Sequence, residues 1–476
     1  AGLRSRGGGE YVSGLLALPF AATHLGLHWR LTAASPAALR VGVRTSGDGA
    51  TWSGWRETSI EAIAALSGSG TAVERSIPVH GHGAEAESRE PGRHEVFASL
   101  VPAEGGTHVQ YRLRFPAGQE TSLEAMTVTA IESPAIAAAQ TSVDFPLPDD
   151  PSRSITVITR AGWGCDERLR FGRRGAEIWP EMWVPVKKVM LHHTATSNDY
   201  LDGAAEVRAI YTYHARTLGW GDIGYHLLID KDGQIYEGRH GRGEDAATRE
   251  VASDDVVAGH TFAHNYGSTG IAAIGNYDET GPSSALTRTI EDVLTFEFAR
   301  QYLDPRGVSD FLRSDAIWHD GLANLSGHRD STATICPGAH LYDQLDALRE
   351  QVAARLSGVG SAVVPALTEM TGAARDLTEP ADLAFAWSSA ESAYLYSFEG
   401  WSKGSRSEDI EYLSGYQADG AGDPLAWRQV WVGPTDSTTA SFSNLAAGRY
   451  TMHVRTRDGH AVASRTWNVS SRKGRK

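Results

Sequence analysis

The sequence predicts a multidomain chain in which a central α/β domain, a mixed sheet flanked by helices, lies between two β-sandwiches. Its 476 residues exceed what a single hydrophobic core usually supports. Both outer thirds alternate apolar and polar residues in short runs broken by glycine-rich turns, the period-two pattern of half-buried strands. The middle third instead alternates apolar strands with segments of helical spacing, the pattern of a layered α/β domain.

In the first third the alternating runs are His28-Trp29-Arg30-Leu31, Leu39 to Arg44, Val109 to Phe115 and Met126 to Thr129, which predict an N-terminal β-sandwich over residues 1–145. Trp52 and Trp55 are either an exposed sugar-stacking pair or a plug at the sandwich end. Glu132 to Ser154 is rich in Ala, Pro and Asp and has the chemistry of a linker. The central domain is expected over 155–358. Val186 to Leu191, Tyr225 to Ile229 and Ile271 to Ile274 are its strands. Asp202 can cap a helix carrying Val207, Ile210, Tyr211 and His214, and Leu286 to Leu303 and Leu341 to Leu356 are amphipathic helices. After a Gly/Ser/Ala/Thr/Pro-rich passage, Leu383 to Trp387, Tyr394 to Phe398 and Tyr450 to Arg455 predict a second sandwich over 375–470. Its last portion, Leu445 to Thr456, is similar to the end of a fibronectin type III module.

With 41% hydrophobic and 21% charged residues the composition is that of a globular protein. The longest apolar run, Leu15 to Ala22, contains Pro19 and falls well short of the roughly 20 residues of a spanning helix, so no membrane span is expected. A net charge of −14 argues against nucleic acid as a partner, since only the tail Arg472, Lys473, Arg475, Lys476 is basic. The start at Ala1 suits a mature exported protein. Two cysteines, Cys165 and Cys336, exclude a disulfide framework. Cys165 is expected to be a buried thiol, with a reactive one as the alternative.

His192 and His193 end an apolar strand, and His328 and Cys336 lie eight positions apart in one loop. A strand histidine, a loop histidine and a loop cysteine suit a catalytic zinc, which takes three protein ligands and keeps a fourth position open. Spacing alone barely separates this from a satisfied buried histidine and a small apolar cysteine.

The surrounding phrases add to it. Thr159-Arg160-Ala161-Gly162-Trp163-Gly164, Leu191-His192-His193-Thr194, Gly219-Trp220-Gly221-Asp222-Ile223-Gly224-Tyr225-His226, Asp232 to Arg239, Gly259-His260-Thr261 with Asn265, Gly270 to Tyr277, and Gly327-His328-Arg329-Asp330 to Cys336-Pro337-Gly338 occur in that order. Residues 155–356 thereby resemble the peptidoglycan recognition protein family, whose active members are type 2 N-acetylmuramoyl-L-alanine amidases. The resemblance implies one zinc ion on His192, His328 and Cys336, with His193 on the opposite side of the strand. It implies a catalytic role for Tyr225 beside the metal's water, whose pKa zinc lowers to about 7, and an oxyanion contact from Thr334, which lacks a lysine's charge. Relatives that only bind lack the cysteine, so Cys336 favours the enzyme over a recognition module; a stem peptidase is discouraged by the absence of an HExxH helix.

Substrate contacts implied by the resemblance are His214, Gly219, Trp220, Arg239, His260 and Asn265. Gly219-Trp220 and Arg239 match relatives that prefer a meso-diaminopimelate stem, Arg239 pairing with the extra carboxylate. The longer, charged loop His240 to Asp245 and the run Trp179 to Trp183 depart from the family. The implied activity is hydrolysis of the bond between muramic acid and L-alanine in bacterial peptidoglycan by a secreted, wall-associated protein, with a non-catalytic peptidoglycan-binding protein as the alternative.

Overall fold

The computed structural model describes residues 3–33, 39–58, 60–66, 92–115, 122–133, 141–181, 186–241, 256–301, 303–313, 318–332, 334–357, 369–371, 376–378, 381–388, 394–402, 410–416, 427–435, 438–445, 447–456 and 462–470. Trp183, residues 242–245 of the charged loop and the basic tail lie outside them.

Seven strands form the central sheet in the order Ser142–Pro146, Ser154–Ile158, Ile235–Glu237, Leu227–Ile229, Ser268–Ala273, Lys188–His193, Leu325–Gly327. The sheet is mixed: Leu227–Ile229, Ser268–Ala273, Lys188–His193 and Leu325–Gly327 run parallel, and Ile235–Glu237 pairs antiparallel with Leu227–Ile229. Every residue of Lys188–His193 is buried, beneath helices on the Val189 and Leu191 face and beneath Phe311 and Leu322 on the Met190 face. Helices α1 (Gly203–Thr212), α2 (Ser284–Arg300), α3 (Ala339–Tyr342) and α4 (Leu345–Leu356) supply them. One face packs Val189, Leu191 and Ile271 against Leu286, Ile290, Val293 and Phe298 of α2 and Leu348 and Val352 of α4. The other packs Leu228 and Ala272 against Val207, Ile210 and Tyr211 of α1. Asp202 caps α1 by accepting from the Ala204 amide at 3.0 Å, and Ser283 caps α2 by accepting from Leu286 at 3.0 Å.

Two local expectations change. Ser142–Pro146, expected as linker, is an edge strand paired antiparallel with Ser154–Ile158, with Phe145 packed on Phe296. An edge strand tolerates the proline that made this stretch resemble a linker. The single helix expected from Leu341 to Leu356 is two, α3 and α4.

The N-terminal nine strands are antiparallel where they pair and join through the long strands Leu16–Ala33 and Val101–Arg114. Leu25, Leu27, Trp29 and Leu31 alternate into a core with Val41, Val43, Val96 and Leu113. The guanidinium of Arg44 covers the rings of Trp52 and Trp55 at 4.9 and 4.7 Å, which fits a packed role for that pair better than sugar stacking. At the other end, sheets of three and six strands share a core of Leu383, Phe385, Trp387, Phe442, Met452, Val454 and Trp467.

The N-terminal strands also dock on α1. Leu100 and Ile131 join the core of Val207, Ile210 and Tyr213, and His24 Nε2 lies 2.9 Å from Glu206 Oε1. Ser133 donates to the Ala205 carbonyl at 2.6 Å, and the Tyr213 hydroxyl to that of Ala98 at 3.0 Å. Gly26 permits this approach, since a Cβ there would lie 2.5 Å from the Tyr213 ring. Gly26→Ala is therefore expected to destabilise the protein by about 1–3 kcal/mol, as overpacking does. Thermal unfolding checks this; an unchanged midpoint would show that the docking yields without cost.

Candidate metal centre

Strand alternation separates the two histidines at the end of Lys188–His193. His193 faces the α2 and α4 side, where its Nδ1 accepts from the Tyr277 amide at 3.3 Å. His192 faces the other way, fully buried, with its Nδ1 3.7 Å from Cys336 Sγ. His328 follows the neighbouring strand Leu325–Gly327, whose parallel register sets Gly327 opposite Leu191 and brings the His328 ring to 4.6 Å from that of His192. The Cys336 sulfur accepts from the His193 amide at 3.3 Å, and Thr334 Oγ1 accepts from the Cys336 amide at 3.2 Å.

The ligand atoms of His192, His328 and Cys336 lie within 4.8 Å of one another, the one such grouping among the described residues. Two imidazoles and a thiol are a zinc donor set. Tetrahedral bonds of about 2.1 Å to nitrogen and 2.3 Å to sulfur would separate the two donors by about 3.6 Å. The 3.7 Å between His192 Nδ1 and Cys336 Sγ fits that spacing. Burial pushes His192 well below its ordinary pKa, and His328 down to about 4, so both are neutral and able to donate a lone pair near neutral pH.

Around this trio the chain gathers most of the predicted residues. The ring of Tyr225 lies 5.6 Å from that of His192 and 5.8 Å from that of His214. His214 sits in a π-helical turn, Tyr213–Thr217, that continues α1; its Nδ1 accepts from the Gly224 amide at 3.1 Å and its ring is 4.8 Å from Trp220. Gly219 takes φ +77°, a conformation open to glycine, and turns the chain into Trp220. Asn265 Oδ1 accepts from the amides of His260 and Thr261, each at 2.9 Å, while its buried Nδ2 meets no partner among the described residues.

Arg239 is placed differently from the expectation of a substrate carboxylate. Its guanidinium is buried, donates to Asp222 at 2.8 Å and to the Trp179 carbonyl at 2.9 Å, and lies 4.0 Å from the Trp179 ring centre. Asp222 receives Arg160 on its other oxygen at 2.8 Å. Burial alone would raise the Asp222 carboxyl, but the two guanidiniums hold it well below the usual carboxylate range. Neither Arg160 nor Asp222 was singled out from the sequence, although both stand inside quoted phrases. Their signal was a lone charged residue in an otherwise uncharged phrase. Cys165 is half-buried; burial, opposed by Arg160, pushes its thiol well up, away from a reactive thiolate.

Residues 182–339 match the N-acetylmuramoyl-L-alanine amidase family, Amidase_2. The central region is a peptidoglycan recognition protein/type 2 amidase domain. This chain is 33% identical over 196 residues to the N-acetylmuramoyl-L-alanine amidase of Homo sapiens, covering 40% of this chain and 29% of that protein. This chain thus spans under a third of that relative's length. It is 29% identical to peptidoglycan recognition protein 1 of Bos taurus over 39% of this chain and 80% of that protein. Among solved structures, wild-type Drosophila PGRP-LB is 24% identical, with a TM-score of 0.30 over 40% of this chain and 92% of that one. The family match leaves residues 1–181 and 340–476 outside it, and among the described residues no helix is long and apolar enough to cross a membrane.

Proposed function

We propose that the chain is a secreted, wall-associated zinc amidase that hydrolyses the lactyl-amide bond between muramic acid and L-alanine of peptidoglycan. The observation that carries this is Cys336 standing with His192 and His328 as a compact donor set, His192 and Cys336 buried and His328 half-buried, inside an amidase-family domain. Zinc, when bound, supplies Lewis acidity toward the scissile carbonyl and its attacking water. The chain's own residues do the rest. Tyr225, beside His192, orients the water or moves its proton through its phenol. Thr334 donates its hydroxyl hydrogen to the developing oxyanion while its oxygen accepts from Cys336 N. His214, Gly219 and Trp220 form one wall of the substrate groove, and Asn265 offers an unspent amide. A diaminopimelate preference would rest on Gly219-Trp220, with Arg239 supporting that wall through Asp222 and Trp179. The flanking regions, expected over 1–145 and 375–470, are proposed as β-sandwich accessory domains, the first ending before the central sheet's edge strand Ser142–Pro146 and the second fibronectin type III-like.

The test is digestion of diaminopimelate-type peptidoglycan, with mass spectrometry of the soluble fragments, by native, chelator-treated and Cys336→Ala protein. Native protein is expected to release stem peptides that begin at alanine. Loss of a metal term worth several kcal/mol should lower the rate of the other two by on the order of 10³-fold. Binding to the polymer without release would establish a recognition module instead.

A further inference from the structure

Behind the three proposed ligands runs a line of hydrogen bonds whose direction can be deduced. His192 Nε2 lies 2.9 Å from His260 Nδ1. His260 Nε2 lies 3.2 Å from Ser268 Oγ and 3.5 Å from the Ser268 carbonyl. Ser268 Oγ in turn donates to the His264 carbonyl. A hydroxyl whose proton is committed to a carbonyl can only accept from its other neighbour, and a carbonyl can only accept. His260 therefore carries its proton on Nε2 and presents a bare Nδ1. His192 must then donate from Nε2, which leaves its own bare Nδ1 toward Cys336 Sγ at 3.7 Å.

We infer that His260, backed by Ser268, is a positioning residue that fixes the tautomer and ring orientation of His192 for the metal; this rests on the metal reading above. Three features of the fold favour this role over a substrate contact. Both of its ring nitrogens are engaged within the fold, Nδ1 by His192 and Nε2 by Ser268, so neither is left for a ligand. Its backbone is pinned by Asn265 Oδ1 at 2.9 Å. Its ring lies flat on Gly270, where a Cβ would come within 2.3 Å of its Cγ, so that strand position must be bare for the ring to reach His192. An outer partner that orients a metal-bound histidine typically contributes 10–100-fold to metal affinity.

The experiment measures zinc affinity of the full chain by competition with a chromophoric chelator, alongside co-sedimentation of the metal-free protein with peptidoglycan. His260→Ala is expected to weaken zinc about 10–100-fold. Ser268→Ala should weaken it less, in the same direction, and serves if the first variant fails to fold. His260→Asn, whose amide oxygen can stand where Nδ1 stood, should recover part of the loss, which a merely structural role would not predict. Zinc affinity within about twofold of native in both His260→Ala and Ser268→Ala would overturn the inference, and lowered peptidoglycan binding in the former would assign His260 to the substrate. Native protein that binds no stoichiometric zinc would overturn the metal reading itself, a result distinct from either.

Discussion

Asp222→Ala is expected to cost about 3–5 kcal/mol of folding free energy, the usual penalty for removing one partner of a buried ion pair. Both carboxylate oxygens are filled: Oδ1 accepts from Arg160 Nη1 and the Ile223 amide, each at 2.8 Å, and Oδ2 from Arg239 Nη1 at 2.8 Å and the His240 amide at 3.0 Å. Alanine would leave two guanidiniums facing a void. Arg160 keeps Glu167 at 2.8 Å, but among the described residues Arg239 donates to no other carboxylate. Whole domains are stable by only about 5–15 kcal/mol, so the variant should unfold at much lower urea concentration. Asp222→Asn keeps the shape without the charge and should fall between. An alanine variant within about 0.5 kcal/mol of native would mean that water or rearrangement replaces the carboxylate. The consequence reaches the site, because the Arg239 amide donates to the Tyr225 carbonyl at 2.8 Å and so ties this network to the proposed catalytic tyrosine.

The candidate metal site was legible because its ligands sit in two short phrases that carry the family resemblance. His192 ends an apolar strand, and His328 and Cys336 share a loop, so local sequence placed all three and only their convergence needed the fold. The network behind the site was not legible for the opposite reason. Arg160 meets Asp222 across 62 residues, and no local pattern marks the pairing. Nor could periodicity show that Ile131 packs on α1, since an inward apolar residue of a strand has the same signature whichever core receives it. The tautomer of His192 depends on Ser268, a serine in a buried strand with no chemical motif around it. Strand alternation, by contrast, did predict from two adjacent letters that His192 and His193 would face opposite ways.

Acid should destabilise the metal-free protein well before its carboxylates titrate, because histidines outside the proposed ligand set, His226 and His264 among them, are buried neutral. Burial pulls His226 from the ordinary 6.5 down to about 4, and His264 to about 3. Both nitrogens of His226 are committed: Nε2 donates to the Val256 carbonyl at 2.7 Å and Nδ1 accepts from the Gly270 amide at 2.9 Å, so a second proton has nowhere to go without breaking the latter bond. A folded pKa below the unfolded one means that the unfolded chain binds more protons between them, so unfolding free energy rises with pH across that interval. Stability is therefore complete above about pH 6.5 and declines as pH falls toward 4 and then 3. At 1.36 kcal/mol per pH unit, His226 alone accounts for about 3 kcal/mol at the bottom of its range. Asp230, whose carboxyl is raised by burial, works in the opposite direction at the acid end and so cannot produce the decline. Urea unfolding of chelated protein from pH 7.5 to 4.5 measures the slope. His226→Gln keeps a donor and an acceptor but cannot take up a proton, and it should flatten that slope. A native slope near zero, or one that His226→Gln leaves unchanged, would mean that the ring opens to water before it protonates.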